Sequence, residues 1–270
     1  MTGDERQQAV IARAAEVLPQ DERVLGVYLI GSYATGAADR FSDVDAHLVV
    51  TDDSVEWFGE HWDDVLRELT GPTVLTDRVP GLTGGLGITP DWLHVDLFVH
   101  PLASFERGQY DGVRVLFDRD GTLFPEGDVA PKGGRPGEPY WPAINVNLFF
   151  YFLGNLVTVL GRDERIVGNQ GVGALRDLLV ALMLAERGVR RTSGAKRLNA
   201  LLSDEQRAVL DAIPAVGTEP ADIIAANQYI CREFITRGRA LAKLTDNPWP
   251  TEFVDATLRH LRNHFHVEFS

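Results

Sequence analysis

Two regimes of apolar and polar spacing divide this chain. Residues 4–18 repeat apolar positions at helical spacing, with acids in the first turn and Pro19 as a stop, which predicts an amphipathic helix. Short apolar runs follow at Val24–Ile30, Val44–Val50, Thr73–Val79, Trp92–Val99 and Val113–Phe117, and each predicts a strand. Between them Val55–Leu69 returns to a helical period. Gly81–Gly87 holds four glycines in seven residues and predicts a loop or wide turn. Residues 127–139 hold four Gly and three Pro in 13 positions, the composition of a linker. Beyond them, residues 140–160, 170–188, 203–212, 219–244 and 250–265 all read as helices, and none alternates like a strand. The expected fold class is α+β: a mixed-sheet domain over residues 1–126, then an all-helical bundle over 140–270.

Composition sharpens this picture in two places. The chain has one cysteine, Cys231, so no intrachain disulfide and no four-cysteine zinc site can form, and a cytoplasmic location is expected. Met1–Gln20 has no apolar stretch of the signal-peptide kind. Trp141–Leu160 carries no charge but is interrupted by Pro142, Asn145, Asn147, Gly154 and Asn155, so it reads as a core helix rather than a membrane span. Charge is unevenly shared. Residues 1–126 hold 23 Asp and Glu against 9 Arg and no Lys, whereas residues 127–270 hold 16 acids and 17 bases. An acidic half of this kind repels a nucleic-acid backbone and attracts cations, either metal ions or amine-bearing small molecules.

The chemistry concentrates in Gly31-Ser32-Tyr33-Ala34-Thr35-Gly36 and Ser42-Asp43-Val44-Asp45. A strand ends in Gly-Ser, a tight helical turn follows, and the next strand opens on two acids two residues apart. That spacing turns both carboxylates to one face, roughly 6–7 Å apart at Cα, close enough to share one or two hard cations. Without a cation the two acids repel. The Gly-Ser turn offers a hydroxyl and backbone N–H groups suited to phosphate.

This string resembles the signature of the polymerase-β-like nucleotidyltransferase superfamily. The resemblance implies a third carboxylate on a later strand, and Asp96, in the apolar run Trp92–Val99, stands in that place. A carboxylate there is costly unless paired or bound to metal. Asp43, Asp45 and Asp96 are then the catalytic and metal-holding residues, and Gly31, Ser32, Arg40 and Ser42 the nucleotide-binding ones. Two Mg²⁺ ions and ATP or another NTP are the implied cofactor and substrate. The layout, a catalytic half followed by a helical half, is similar to that of antibiotic nucleotidyltransferases, those of lincosamides first and of aminoglycosides next. That likeness implies transfer of a nucleoside monophosphate to a hydroxyl of a small molecule with a basic nitrogen, entering from the helical side. It implies neither a nucleic-acid partner nor a membrane. Nucleotidylation of a protein, as by antitoxin-type or regulatory enzymes, and a nucleic-acid nucleotidyltransferase are the alternatives.

Weaker candidates surround the motif. His94 shares a strand face with Asp96, and His47 with Asp43 and Asp45. Arg162, Arg165 and Arg176 are possible triphosphate partners in the helical half, and Glu138, Asp163 and Glu164 are possible carboxylates for the acceptor. His260, His264 and His266 read as solvent-facing, because i+6 does not share a helix face with i and i+4.

Overall fold

The computed structural model describes residues 3–106, 110, 112–130, 136–190 and 197–269. It divides into two compact units, Met1–Lys132 and Gly133–Ser270. Residues 131–135 of the expected linker lie outside the described residues.

The first unit is a six-stranded mixed sheet with helices. In chain order it runs α1 (Gly3–Val17), β1 (Val24–Leu29), α2 (Gly31–Thr35), β2 (Val44–Val50), α3 (Val55–Glu60), α4 (Trp62–Thr70), β3 (Leu75–Arg78), β4 (Gly84–Ile88), β5 (His94–Pro101) and β6 (Arg114–Asp118). The strand order is β3-β4-β5-β2-β1-β6. Only β2 and β5 pair in parallel; the other four pairs are antiparallel. Alternation along β2 sends Val44, Ala46, Leu48 and Val50 into one core, joined by Val95, Leu97 and Val99 of β5. Against them pack Val10, Ile11 and Ala14 of α1 and Trp62, Leu66 and Leu69 of α4. Each such side chain contributes roughly 1.5–3 kcal/mol by leaving water. The Trp62 indole N–H donates to the Leu97 carbonyl at 2.9 Å, which fixes α4 on β5. The opposite face carries a smaller cluster of Tyr28, Val49, Val113, Leu123 and Phe124.

Two expected elements differ. Only the start of the glycine run, residues 81–83, is a turn; Gly84–Ile88, with the other three glycines, is a strand between β3 and β5. A Cβ on Gly84 would overlap the Leu97 carbonyl, one on Gly85 the Asp77 carbonyl, and one on Gly87 the Leu66 side chain. The glycines mark close approach rather than flexibility. The helix expected over Val55–Leu69 is two helices, because at His61 the backbone leaves helical geometry (φ −99°, ψ 11°) and the His61 ring stacks on Trp57.

The second unit is helical among its described residues: α5 (Ala143–Gly161), α6 (Arg165–Glu186), α7 (Asp204–Asp211), α8 (Pro220–Leu244) and α9 (Thr251–Phe265). Phe149 of α5 stacks on Phe234 of α8 with centroids 3.6 Å apart, at the centre of one apolar cluster. Arg237 of α8 pairs with Glu186, Glu205 and Glu233, tying α6 and the start of α7 to α8. By length and composition, α5 and α6 could each cross a membrane. Here α5 buries Val146, Phe149, Phe150, Leu153 and Leu156 in this cluster. Its exposed large apolar residues, Ile144, Leu148, Tyr151 and Phe152, fall at i, i+4, i+7 and i+8 and form one stripe.

Candidate active site

The site lies where β1 gives way to α2 and where β2 and β5 begin. In the parallel ladder Asp45 stands opposite Asp96. Asp43 precedes Asp45 by two residues and so shares its face. One carboxylate oxygen from each of Asp43, Asp45 and Asp96 lies within 4.8 Å of the others, and all three residues are partly buried. Spacing along β2 brings the first two together. The third arrives only through the β2–β5 pairing.

Gly31 leaves room for the Asp45 carboxylate by having no side chain. Its φ is +64°, in the left-handed region, and a Cβ there would overlap the Asp45 carboxylate. Glycine therefore meets a backbone demand and a packing demand at once. Ser32, next in α2, has its Oγ buried with no hydrogen-bond partner among the described residues. A hydroxyl so placed costs roughly 1–3 kcal/mol unless something accepts from it or donates to it. Three converging carboxylates, a carbon-free cradle beside one of them and an orphaned hydroxyl fit a hard divalent cation with a phosphate ligand.

The other nucleotide-binding candidates make local contacts. The Ser42 hydroxyl accepts from the Asp39 N–H at 2.9 Å, and the Ser42 carbonyl accepts from the Gln7 side chain, so Ser42 shapes the turn before β2. Arg40 is exposed and lies over the Phe41 ring, 4.5 Å from its centroid. In the helical unit Arg165 pairs with Asp163 at 2.6 Å and faces Glu219 at 3.7 Å, while Arg176 lies 3.9 Å from Asp177. Arg162, Glu138 and Glu164 are exposed. His260, His264 and His266 are exposed too, with His266 in the left-handed region just past the end of α9.

Histidines separate into two environments. His94 Nε2 lies 2.9 Å from Asp96 Oδ1, and its Nδ1 lies 3.7 Å from Asp43 Oδ2. His47, two residues past Asp45 on the same face, turns away from the acids. Its Nδ1 meets His100 Nε2 at 2.8 Å, with the rings tilted by 7° and the Tyr110 hydroxyl 3.4 and 3.3 Å from the two nitrogens. Burial, and then the neighbouring His100, push the His47 pKa down to about 3, and burial lowers His100 as well. His100 and Tyr110 were not legible as partners of His47. Fifty-three residues separate the two histidines, and only the strand register joins them.

Residues 11–75 match the family model described as a nucleotidyltransferase domain. The matched stretch contains the Gly31–Asp45 string and stops short of Asp96. The polymerase-β-like resemblance read from the sequence thus has an independent counterpart over this stretch. No curated protein sequence matches this chain. Among solved structures, an aminoglycoside 6-adenyltransferase from Bacillus subtilis is 16% identical over 97% of this chain and 99% of that one, with a TM-score of 0.44.

Proposed function

We propose that this protein is a divalent-metal-dependent nucleotidyltransferase that moves a nucleoside monophosphate, AMP from ATP, to a hydroxyl of a small molecule. The observation that carries this reading is the convergence of Asp43, Asp45 and Asp96 within 4.8 Å, with Gly31 against the Asp45 carboxylate and the buried, unpartnered Oγ of Ser32 next to it in sequence. Asp43, Asp45 and Asp96 would hold Mg²⁺, two ions in the full reading. When bound, that metal supplies charge neutralisation for the triphosphate and the developing transition state. The chain's own groups do the rest. Ser32 Oγ donates to a phosphate oxygen. Gly31 leaves the Asp45 carboxylate room to stay in place. Asp96 takes the proton of the acceptor hydroxyl as its oxygen bonds to the α-phosphorus and the bond to pyrophosphate breaks. Products are the nucleotidylated acceptor, pyrophosphate and a proton.

For the acceptor, a lincosamide-like molecule with one amine and an apolar tail ranks first, and an aminoglycoside second. The exposed stripe Ile144, Leu148, Tyr151 and Phe152 favours an amphipathic partner, and the helical half's near-balanced charge offers little to a polycation. The acidic N-terminal half counts against a nucleic-acid substrate. Buried, lone Cys231 suits a reducing compartment, in keeping with a cytoplasmic enzyme.

The test incubates the full chain with ATP, Mg²⁺ and a panel of lincosamides and aminoglycosides, with mass spectrometry for a gain of one AMP. Asp43→Asn and Asp45→Asn should each retain less than a tenth of wild-type turnover, at least roughly 1.4 kcal/mol of barrier. More than a tenth retained by Asp43→Asn overturns the metal assignment. Turnover of kanamycin but not lincomycin reverses the order of acceptors.

A further inference from the structure

We infer that His94 is a positioning residue for the metal-binding carboxylates, holding Asp96 so that its remaining lone pairs face Asp43 and Asp45; this rests on the function proposed above. The parallel ladder sets the arrangement. Asp45 and Asp96 face each other across β2 and β5, with Val44 opposite Val95. Two residues before Asp45, just ahead of β2, stands Asp43, and two before Asp96, at the start of β5, stands His94. Four side chains therefore occupy one face of two neighbouring strands, three acids and one imidazole.

The distances give the imidazole its part. His94 Nε2 is within hydrogen-bonding distance of Asp96 Oδ1 at 2.9 Å, while Nδ1 is 3.7 Å from Asp43 Oδ2, a contact but not a hydrogen bond. His94 does not belong to the group whose donor atoms all lie within 4.8 Å of one another. It hydrogen-bonds one carboxylate of that group, Asp96, and touches a second, Asp43, without being one of the three. An aspartate's terminal torsion is broad and roughly two-fold, so nothing in the Asp96 side chain itself chooses which oxygen faces the cluster. A donor fixed on one oxygen makes that choice. Hydrogen bonds of this kind to ligating groups are commonly worth 10–100-fold in metal affinity.

The experiment uses Mn²⁺ alone as probe on the full chain, with free Mn²⁺ read by electron paramagnetic resonance and no nucleotide present. Gln at position 94 places an amide N–H about where Nε2 stands, whereas Asn reaches only as far as Nδ1. His94→Leu and His94→Asn should weaken Mn²⁺ binding by about 10–100-fold, and His94→Gln should stay within about threefold of wild type. Asp45→Asn should abolish the binding. Melting of the metal-free variants reports folding, and if His94→Leu is unfolded, the Asn and Gln pair carries the test. Wild-type affinity in His94→Asn overturns the inference. So does a His94→Gln as weak as His94→Asn, since that result makes the imidazole itself the needed group. Wild-type chain with no Mn²⁺ binding sensitive to Asp45→Asn overturns the metal reading and this inference with it.

Discussion

His47 shows how far one side chain's fate depends on what stands beside it. It lies two residues beyond Asp45 on the same strand face, yet only 5% of it is exposed, and His100 meets its Nδ1. Its pKa falls from 6.5 to about 3 in the folded chain. Between those values the unfolded chain binds a proton there that the folded one does not, so stability drops as pH falls from about 6.5 toward 3. From pH 7 to pH 5 the loss from His47 should be about 2 kcal/mol, read from urea midpoints. His47→Gln should flatten that loss; a loss left unchanged by this substitution removes His47 as its source. The acids were legible at this scale because Asp-x-Asp is a local pattern with a fixed meaning on a strand. His100 and Tyr110 were not, because their meeting with His47 depends on pairing between distant segments.

At the scale of elements, the glycine run is the instructive case. Local composition favours a loop at Gly81–Gly87, and chain propensity has no term for what lies above and below a strand. The sheet puts Asp77 and Arg78 backbone against Gly85 and the tip of Leu66 against Gly87. These two neighbours yield differently. Backbone cannot give way without disturbing the β3–β4 ladder, while a leucine tip can change rotamer. Gly85→Ala should therefore cost on the order of 2–3 kcal/mol, and Gly87→Ala about 1 kcal/mol or less, by urea denaturation. Equal costs would mean that the difference between a backbone neighbour and a side-chain neighbour does not decide them. The helices were better legible, since α5, α8 and α9 carry long periodic runs. The break at His61 was not, because the period continues through it from Phe58 to Trp62 and Leu66.

For the whole molecule, charge and architecture divide together. Each unit has its own apolar core, and the N-terminal 126 residues carry 23 acids against 9 bases. Self-repulsion within that unit weakens as salt shortens the screening length from roughly 30 Å at 0.01 M to about 8 Å at 0.15 M. Its hydrogen-exchange protection should rise over that range, while the helical unit, close to neutral, should change little. An equal rise in both units would assign the effect to something other than the acidic surplus. The surplus and the two-part organisation were both open to arithmetic on the sequence. Which acids face one another came from the motif and not from arithmetic.

The parallel pairing of β2 with β5 has an evolutionary corollary. Residues 51–93 leave one end of the sheet and must cross to the opposite end, where β2 began, and within this detour only the return point is constrained by the acids. Insertions at the β3–β4 hairpin could accumulate across a lineage while Asp96 still arrived opposite Asp45. A shift of one residue between Asp43 and Asp45, by contrast, would send a carboxylate through to the other side of the sheet. Homologues should thus keep the short spacing rigidly and let the long one drift, and a sequence pattern with a fixed gap to the third acid would overlook some of them.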